Sequence, residues 1–345
     1  MNRIKYKAFV IMFLIGSAVQ AQLENDQDIS KVGTTAAQFL KISSGGRGLA
    51  MGSANVAVCS DLTSSFWNPA GLAHLKGIQV YFENNGWLAG TDYHYGSFGF
   101  EWPRVAVFSL SLKMLSSPDD LVRTVDEPTG TGEKFNAQDM SIGLSIGKSL
   151  TDQLSLGASI NNIRQRIWHS SGQTVAVDIG VQYKTPIKDI ILGASIANFG
   201  NDMSLSGRDM NLSVDPDPNN QGNIEFVNAQ YETDAFPLPL LFRVGVGGHL
   251  INIEKLNVLF AIDAVHPNDN YEYLNLGLET NINNMFSIRA GYPGIGKKDA
   301  IEGLSVGVGI KYPIMKTSNT LVIEYTSADF GPLGMVQRVS LGFNY

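Results

Sequence analysis

From about residue 76 to the end of the chain, apolar side chains return at every second position. In "MSIGLSIGKSL", Met140, Ile142, Leu144 and Ile146 share one face, and Ser141, Gly143, Ser145 and Gly147 share the other. "QLSLGASI" repeats the pattern with Leu154, Leu156, Ala158 and Ile160. "TVAVDIGVQY" does so with Val175, Val177, Ile179, Val181 and Tyr183. A two-residue period predicts strands with one apolar face and one small or polar face. About fourteen such segments can be counted, each roughly nine to thirteen residues long, which suits a tilted strand crossing a bilayer. Strands of soluble sandwiches average only about 5–6 residues.

The intervals between these segments alternate in length. Long or irregular ones at 85–92, 116–137, 168–172, 200–236, 266–271, 292–300 and 327–335 are interleaved with short ones at Pro103, 151–152, 185–188 and around Asn283. Short turns at one rim and long loops at the other predict an all-β fold, a transmembrane antiparallel barrel of about 14 strands. The barrel is read as residues 76–345. Its last stretch, "VSLGFNY", places Val339, Leu341, Phe343 and Tyr345 on one face. Phe343 and Tyr345 resemble the terminal recognition signal of outer-membrane assembly.

Composition fits a barrel with a small-residue interior. The 345 residues include 36 Gly, and only 17% are charged, against about 25% in ordinary soluble domains. The face opposite the apolar stripe carries Arg243, Asp263, Glu279, Arg289, Glu324 and Arg338. Mixed signs predict pairing across the interior rather than a charge-selective pore. A formal net charge of −7 gives no basic footprint for nucleic acid. One cysteine, Cys59, excludes an internal disulfide framework and a Cys-based zinc cluster.

The first residues read as a targeting signal. Arg3, Lys5 and Lys7 precede an apolar run from Ala8 to Val19, and "SAVQA" ends in small residues. The run is too short to span a bilayer, which takes roughly 20 residues. Residues 1–21 are therefore read as a cleaved signal peptide, and the protein as exported to the outer membrane of a Gram-negative bacterium. Loss of the three cationic side chains takes the formal net charge from −7 to −10.

Residues 22–75 do not alternate. "TTAAQFLKI" offers Ala36, Ala37, Phe39 and Leu40 for a short helix, and Arg47 sits between glycines. A barrel of about fourteen strands is too wide for its own small side chains to fill. Residues 22–75 are accordingly read as a hatch or plug inside the lumen, anchored by Phe39, Phe66 and Trp67. Asn68-Pro69-Ala70-Gly71 is expected to stop the last plug helix and turn the chain toward the first strand.

Enzyme-like strings do not hold up. "GLSIG" (143–147) and "GLSVG" (303–307) match G-x-S-x-G but lie in alternating sequence, whereas the nucleophile elbow needs a strand-to-helix turn. "GYPGIGKK" lacks the Ser or Thr of a phosphate loop. His74, His94, His169, His249 and His266 show no ligand spacing, and the prolines of "DPDPNN" (215–220) break the rhythm of a calcium loop. The sequence predicts no enzyme, no cofactor and no metal.

The run "KVGTTAAQFLKISSGGRGLAMGSANVAVCSDLTSSFWNPAGLAHL" resembles the N-terminal signature of the PorV/PorQ family of Bacteroidota and relatives, akin to FadL long-chain fatty-acid transporters. The shared residues are Gly33-Thr34, Gln38-Phe39-Leu40, Arg47, Met51-Gly52, Asp61 and Asn68-Pro69-Ala70-Gly71-Leu72. "GRDMNLSVDPDPNNQGN" and "LPLLFRVGVG" are similar to that family's long surface loop and following strand. The resemblance implies a fourteen-stranded barrel with an N-terminal hatch. It also implies work in the type IX secretion system, with secreted cargo proteins or secretion-system subunits as partners. Phe226, Tyr231 and Phe236 in the long loop are the candidate partner-binding residues. The alternative is a FadL-like channel for hydrophobic small molecules, with its ligand near the hatch. Outer-membrane lipid is a partner in either case.

Overall fold

The computed structural model describes residues 31–187, 189–216, 226–314 and 319–345. The segment 1–21 expected to be a signal peptide, residues 22–30 and most of "DPDPNN" lie outside them. Alternating apolar and small residues form fourteen long strands. They are β1 Ile78–Gly86, β2 Asp92–Trp102, β3 Ala106–Ser116, β4 Ala137–Ser149 and β5 Leu154–Ile167. Next come β6 Ser170–Lys184, β7 Ile190–Gly200, β8 Leu241–Ile253, β9 Leu256–Pro267 and β10 Tyr273–Ile282. The last four are β11 Phe286–Ile295, β12 Ser305–Pro313, β13 Thr320–Asp329 and β14 Met335–Asn344. Each pairs antiparallel with the next, and β1 pairs with β14, so the sheet closes into a barrel without an edge.

The register puts like with like. Leu110 lies opposite Leu144, which lies opposite Ile160, and these three side chains are exposed on the outside. Ser111, Gly143 and Asn161 form the adjoining row on the inside. Burial of Ser159, Asp263 and Arg338 at 3%, 0% and 0% exposure shows that this interior is filled. Among the described residues no helix is long and apolar enough to cross a membrane.

Connections alternate in length over part of the barrel, but those at 168–169 and 330–334 are no longer than the connections of the short rim. The interval expected at 168–172 is a turn of Trp168 and His169 alone, because the alternation of β6 starts at Ser170. The long connection runs past 236 to Leu240 and folds back on itself. It pairs Asn211–Val214 with Val227–Gln230, and Met203 bridges Phe236. β11 extends to Ile295, through Pro293, into the stretch expected to be loop. Ladder irregularities occur between β6 and β7, β8 and β9, and β10 and β11.

Residues 38–74 lie against the inner face of the strands as single helical turns. A 3₁₀ turn covers Gln38–Lys41, α1 Gly46–Ala50, α2 Ser64–Trp67, and a second 3₁₀ stretch Pro69–His74. The short helix expected over "TTAAQFLKI" shrinks to one turn because Ala37 adopts a left-handed φ of 50° and cannot continue a helix. The main apolar core lies between this segment and the wall, where Phe39, Leu40, Leu62, Leu72 and Leu75 meet Tyr81, Tyr93 and Tyr95.

Candidate functional site

Backbone groups that the turns of the N-terminal segment leave unpaired find partners on the wall. Glu83 on β1 accepts from the Gly45 amide at 2.7 Å, and Asp263 on β9 accepts from the Asn55 and Val56 amides at 2.6 and 2.9 Å. Gln182 on β6 donates to the Cys59 carbonyl at 3.0 Å, and Ser195 on β7 to the Trp67 carbonyl at 3.0 Å. Such pairing meets the requirement that backbone groups away from water find partners.

Arg47 starts the charged network. Its Nε donates to Glu279 at 2.8 Å, and its Nη1 reaches Asn55 and the Val58 carbonyl. Glu279 also binds Arg289 at 2.6 Å, and Arg289 binds Glu324 at 2.7 Å. Arg338 binds Glu83 at 2.8 Å and donates to the Ser43 carbonyl. Four of the six interior charges read from the sequence are thus ion-paired. Asp263 holds amides instead, and Arg243 lies 5.3 Å from the Phe66 ring and 5.7 Å from Trp67.

Phe66 and Trp67 form an edge-to-face pair, 4.8 Å between centroids, with Cys59 beside them. Trp67 Nε1 donates to the Ser44 carbonyl at 2.9 Å, and Lys113 stands 4.5 Å above Phe66. The aromatic faces therefore meet two wall cations, an attraction strengthened by burial. Phe39 sits in the separate cluster with Leu40 and Leu72.

Asn68 acts twice. It closes α2 and, in an extended conformation, caps the next turn, its Oδ1 accepting from the Ala70 amide at 3.1 Å with Pro69 at the first position. Its Nδ2 donates to the Val56 and Val181 carbonyls, both at 2.9 Å. The motif stops α2 as expected, but the turn toward the first strand is made later in the chain. It restarts a helical turn, and the chain reaches β1 only after Leu75 and Gly77, whose φ is +64°. Gly71 admits the Cys59 carbonyl, 2.5 Å from where a Cβ would stand, and Ala70 is fully buried.

A cavity of about 230 Å³ remains between residues 38–53 and β10–β13, near the rim that carries the long loops. Ile42, Leu49, Trp87, Pro293, Ala328 and Phe330 give it apolar walls, and Lys41, Asn275, Glu302 and Asp329 give it polar ones. Beside it the wall is interrupted. Pro293 has no amide to donate, Gly294 has φ +71°, and the Asn275 side chain, not its backbone, accepts from the Gly294 amide at 3.0 Å. The register shifts there, between Leu274 and Leu276. On the outside of the same wall, Leu276, Leu278, Tyr292 and Leu304 border an apolar groove of about 380 Å³.

Asp269 in the β9–β10 connection accepts from Thr35, and from Gln38 and Lys41 of the cavity wall, at 2.9, 2.7 and 2.7 Å. Burial opposes its charge, but the hydrogen bonds from Gln38 and Lys41 prevail and hold its pKa below the usual carboxylate value.

Of the residues singled out from sequence, Phe39, Arg47, Phe66, Trp67 and Asn68–Gly71 gather inside the barrel but line no part of the cavity. Phe226, Tyr231 and Phe236 are exposed, at 66%, 66% and 46%. Phe343 faces outward, and Tyr345 pairs its backbone with Ile78 at the rim of short turns. Ser145 lies within β4, while Ser305 opens β12 and borders the cavity. Among the described residues no group of three His, Cys, Asp or Glu could hold a metal ion. The cavity residues were missed because they come from scattered connections and strand ends. Pro293 inside an alternating segment is the signal that could have found the wall interruption.

No protein-family model and no curated protein matches the chain. Solved structures do. The chain is similar to the Ralstonia pickettii toluene transporter TbuX, with a TM-score of 0.53, 13% identity, and coverage of 87% of this chain and 97% of that one. It is similar to the monoaromatic hydrocarbon channel CymD, with a TM-score of 0.52, 13% identity, and coverage of 88% and 96%. A Pseudomonas aeruginosa FadL homologue gives a TM-score of 0.50, 12% identity, and coverage of 87% and 97%. None of these names points to the PorV/PorQ proteins. Their shared architecture places this chain in the fold of FadL-type barrels, a closed barrel of fourteen antiparallel strands.

Proposed function

We propose that this protein is an outer-membrane channel that takes up hydrophobic small molecules and releases them sideways through the barrel wall. Short turns then face the periplasm and long loops the outside. Residues 22–75 act as the hatch that closes the axial path. One observation carries the reading: an inner cavity and an outer apolar groove lie on opposite sides of the interrupted ladder at Pro293–Gly294. Bulges recur where a sheet serves a site. The hydrocarbon transport named for TbuX and CymD supports the same direction. The transport reading thus stands ahead of the cargo-binding one that the PorV/PorQ resemblance implied.

The test is uptake of radiolabelled toluene by cells that express the protein against cells that do not. Expression should raise the initial rate, and Ala328→Trp, which fills the cavity, should return it to background with the barrel still assembled. Equal uptake with and without the protein removes the reading for this class of compound.

Exposure of Phe226, Tyr231 and Phe236 on the folded long loop favours a second reading, capture of a secreted or surface protein at the outer rim. Replacing all three by Ala should then reduce recovery of the partner while toluene uptake is unchanged.

A further inference from the structure

We infer that Arg164 and Arg166, on the outer surface of β5, bind the phosphate of an outer-leaflet lipid. The inference rests on the outer-membrane placement proposed above. Between them Gln165 faces the lumen, where it accepts from the Ala37 amide at 2.9 Å, and Ile163 is fully buried. Strand alternation therefore turns both arginines outward.

Their height is fixed by register. Leu144, Ile160 and Val177 form one outward row, Ile142, Asn162 and Val175 the next, and Met140, Arg164 and Gln173 the one after. Arg166 follows with Gln138 and Ser171, toward the long loops. The apolar band thus ends where the arginines begin, which is the headgroup level. Among the described residues of the fourteen barrel strands they are the only Lys or Arg facing outward toward the long-loop rim; Lys148 faces outward at the opposite end.

Neither arginine makes an ion pair among the described residues; the nearby carboxylates are occupied or turned elsewhere. Asp119 accepts from Asn136, Glu133 lies 3.9 Å from His169, and Asp139 alternates to the lumen side. Arg166 donates to Asn136 Oδ1 at 2.8 Å, but its Nε is buried without a partner. Gln138, Met140, Arg164 and Arg166 enclose a notch of about 210 Å³. Two guanidinium forks around a small notch suit a phosphate monoester, which accepts bidentate hydrogen bonds.

The experiment is native mass spectrometry of the full-length barrel in detergent with diphosphorylated lipid A as probe. Wild type should retain one lipid A, and the double variant Arg164→Gln/Arg166→Gln should bind at least about tenfold more weakly. Arg123→Gln, in an exposed loop, should bind as wild type does. Heat-modifiable migration should be the same in all three. Dephosphorylated lipid A should bind wild type no better than the double variant. Equal lipid A retention by the double variant overturns the inference, as does full displacement by inorganic phosphate alone, which would mark a free-anion site. Toluene uptake by the double variant is measured alongside. Uptake at the wild-type rate with lost lipid binding, or the reverse, separates this inference from the transport reading.

Discussion

The wall made by β4–β7 and the wall made by β10–β13 hold the same N-terminal segment by different means. On the first, glycines bring backbone to backbone. A Cβ at Gly157 would overlap the Pro69 carbonyl, one at Gly180 the Asn68 side chain, and one at Gly193 would stand 2.5 Å from the Val56 carbonyl. Gly147 meets Leu72 in the same way at 2.7 Å. On the second, Gly277, Gly291 and Gly307 still touch Met51 and Ala50, but the rest is charge and space. Glu279, Arg289 and Glu324 reach in from the wall, and above them lie the cavity and the broken ladder. A glycine surface gives a close fit with no room for anything else. A surface built from long side chains leaves gaps between them, and on the inner face the cavity lies against the second wall.

The comparison can be broken most severely at Arg47. Arg47→Met leaves Arg289 alone between two carboxylates, and loss of one partner from a buried ionic group costs about 3–5 kcal/mol. The expected result is a lower temperature for the heat-modifiable shift and higher conductance in planar bilayers, because the segment is freed from the β10–β13 side. Gly157→Val attacks the other wall. Overpacking costs about 1–3 kcal/mol, and the segment should again loosen, whereas Gly86→Val, with open space around it, should leave the migration shift in place. The smallest effect is at Asp269. Its folded pKa is depressed, so its contribution is present at neutral pH and is lost as the pH falls below the ordinary carboxylate value of 3.8. Protease sensitivity near Thr35 should rise in that acid range, and Asp269→Asn should show the loosened behaviour at pH 7 as well.

The barrel was legible because its two faces differ in kind. Met140, Ile142 and Leu144 can only face lipid if Ser141 and Gly143 face inward, and the chain repeats that statement along nearly all its strands. The interior charges were legible as a set of both signs, but Arg47, the partner of Glu279, sits 232 positions away. Gly157 and Gly180 read as small fillers; that they are contact points follows only from where Pro69 and Asn68 come to rest. Asn68 and Pro69 signalled a helix stop, and the second role of Asn68 as a cap depended on residues 70–74 forming a further turn. The cavity left almost no trace, since Trp87, Asn275, Pro293 and Phe330 meet only after closure of the barrel.

Sideways release through the β10–β11 wall is the central claim, and clamping that wall tests it most directly. Leu274 and Ile295 face each other just beyond the irregular stretch, as a pair of positions suited to a disulfide. In a Cys59→Ser background, Leu274→Cys/Ile295→Cys should take up radiolabelled toluene at the wild-type rate when reduced and at the background rate when oxidised, with recovery on renewed reduction. Undiminished uptake by fully cross-linked protein would contradict passage through this wall.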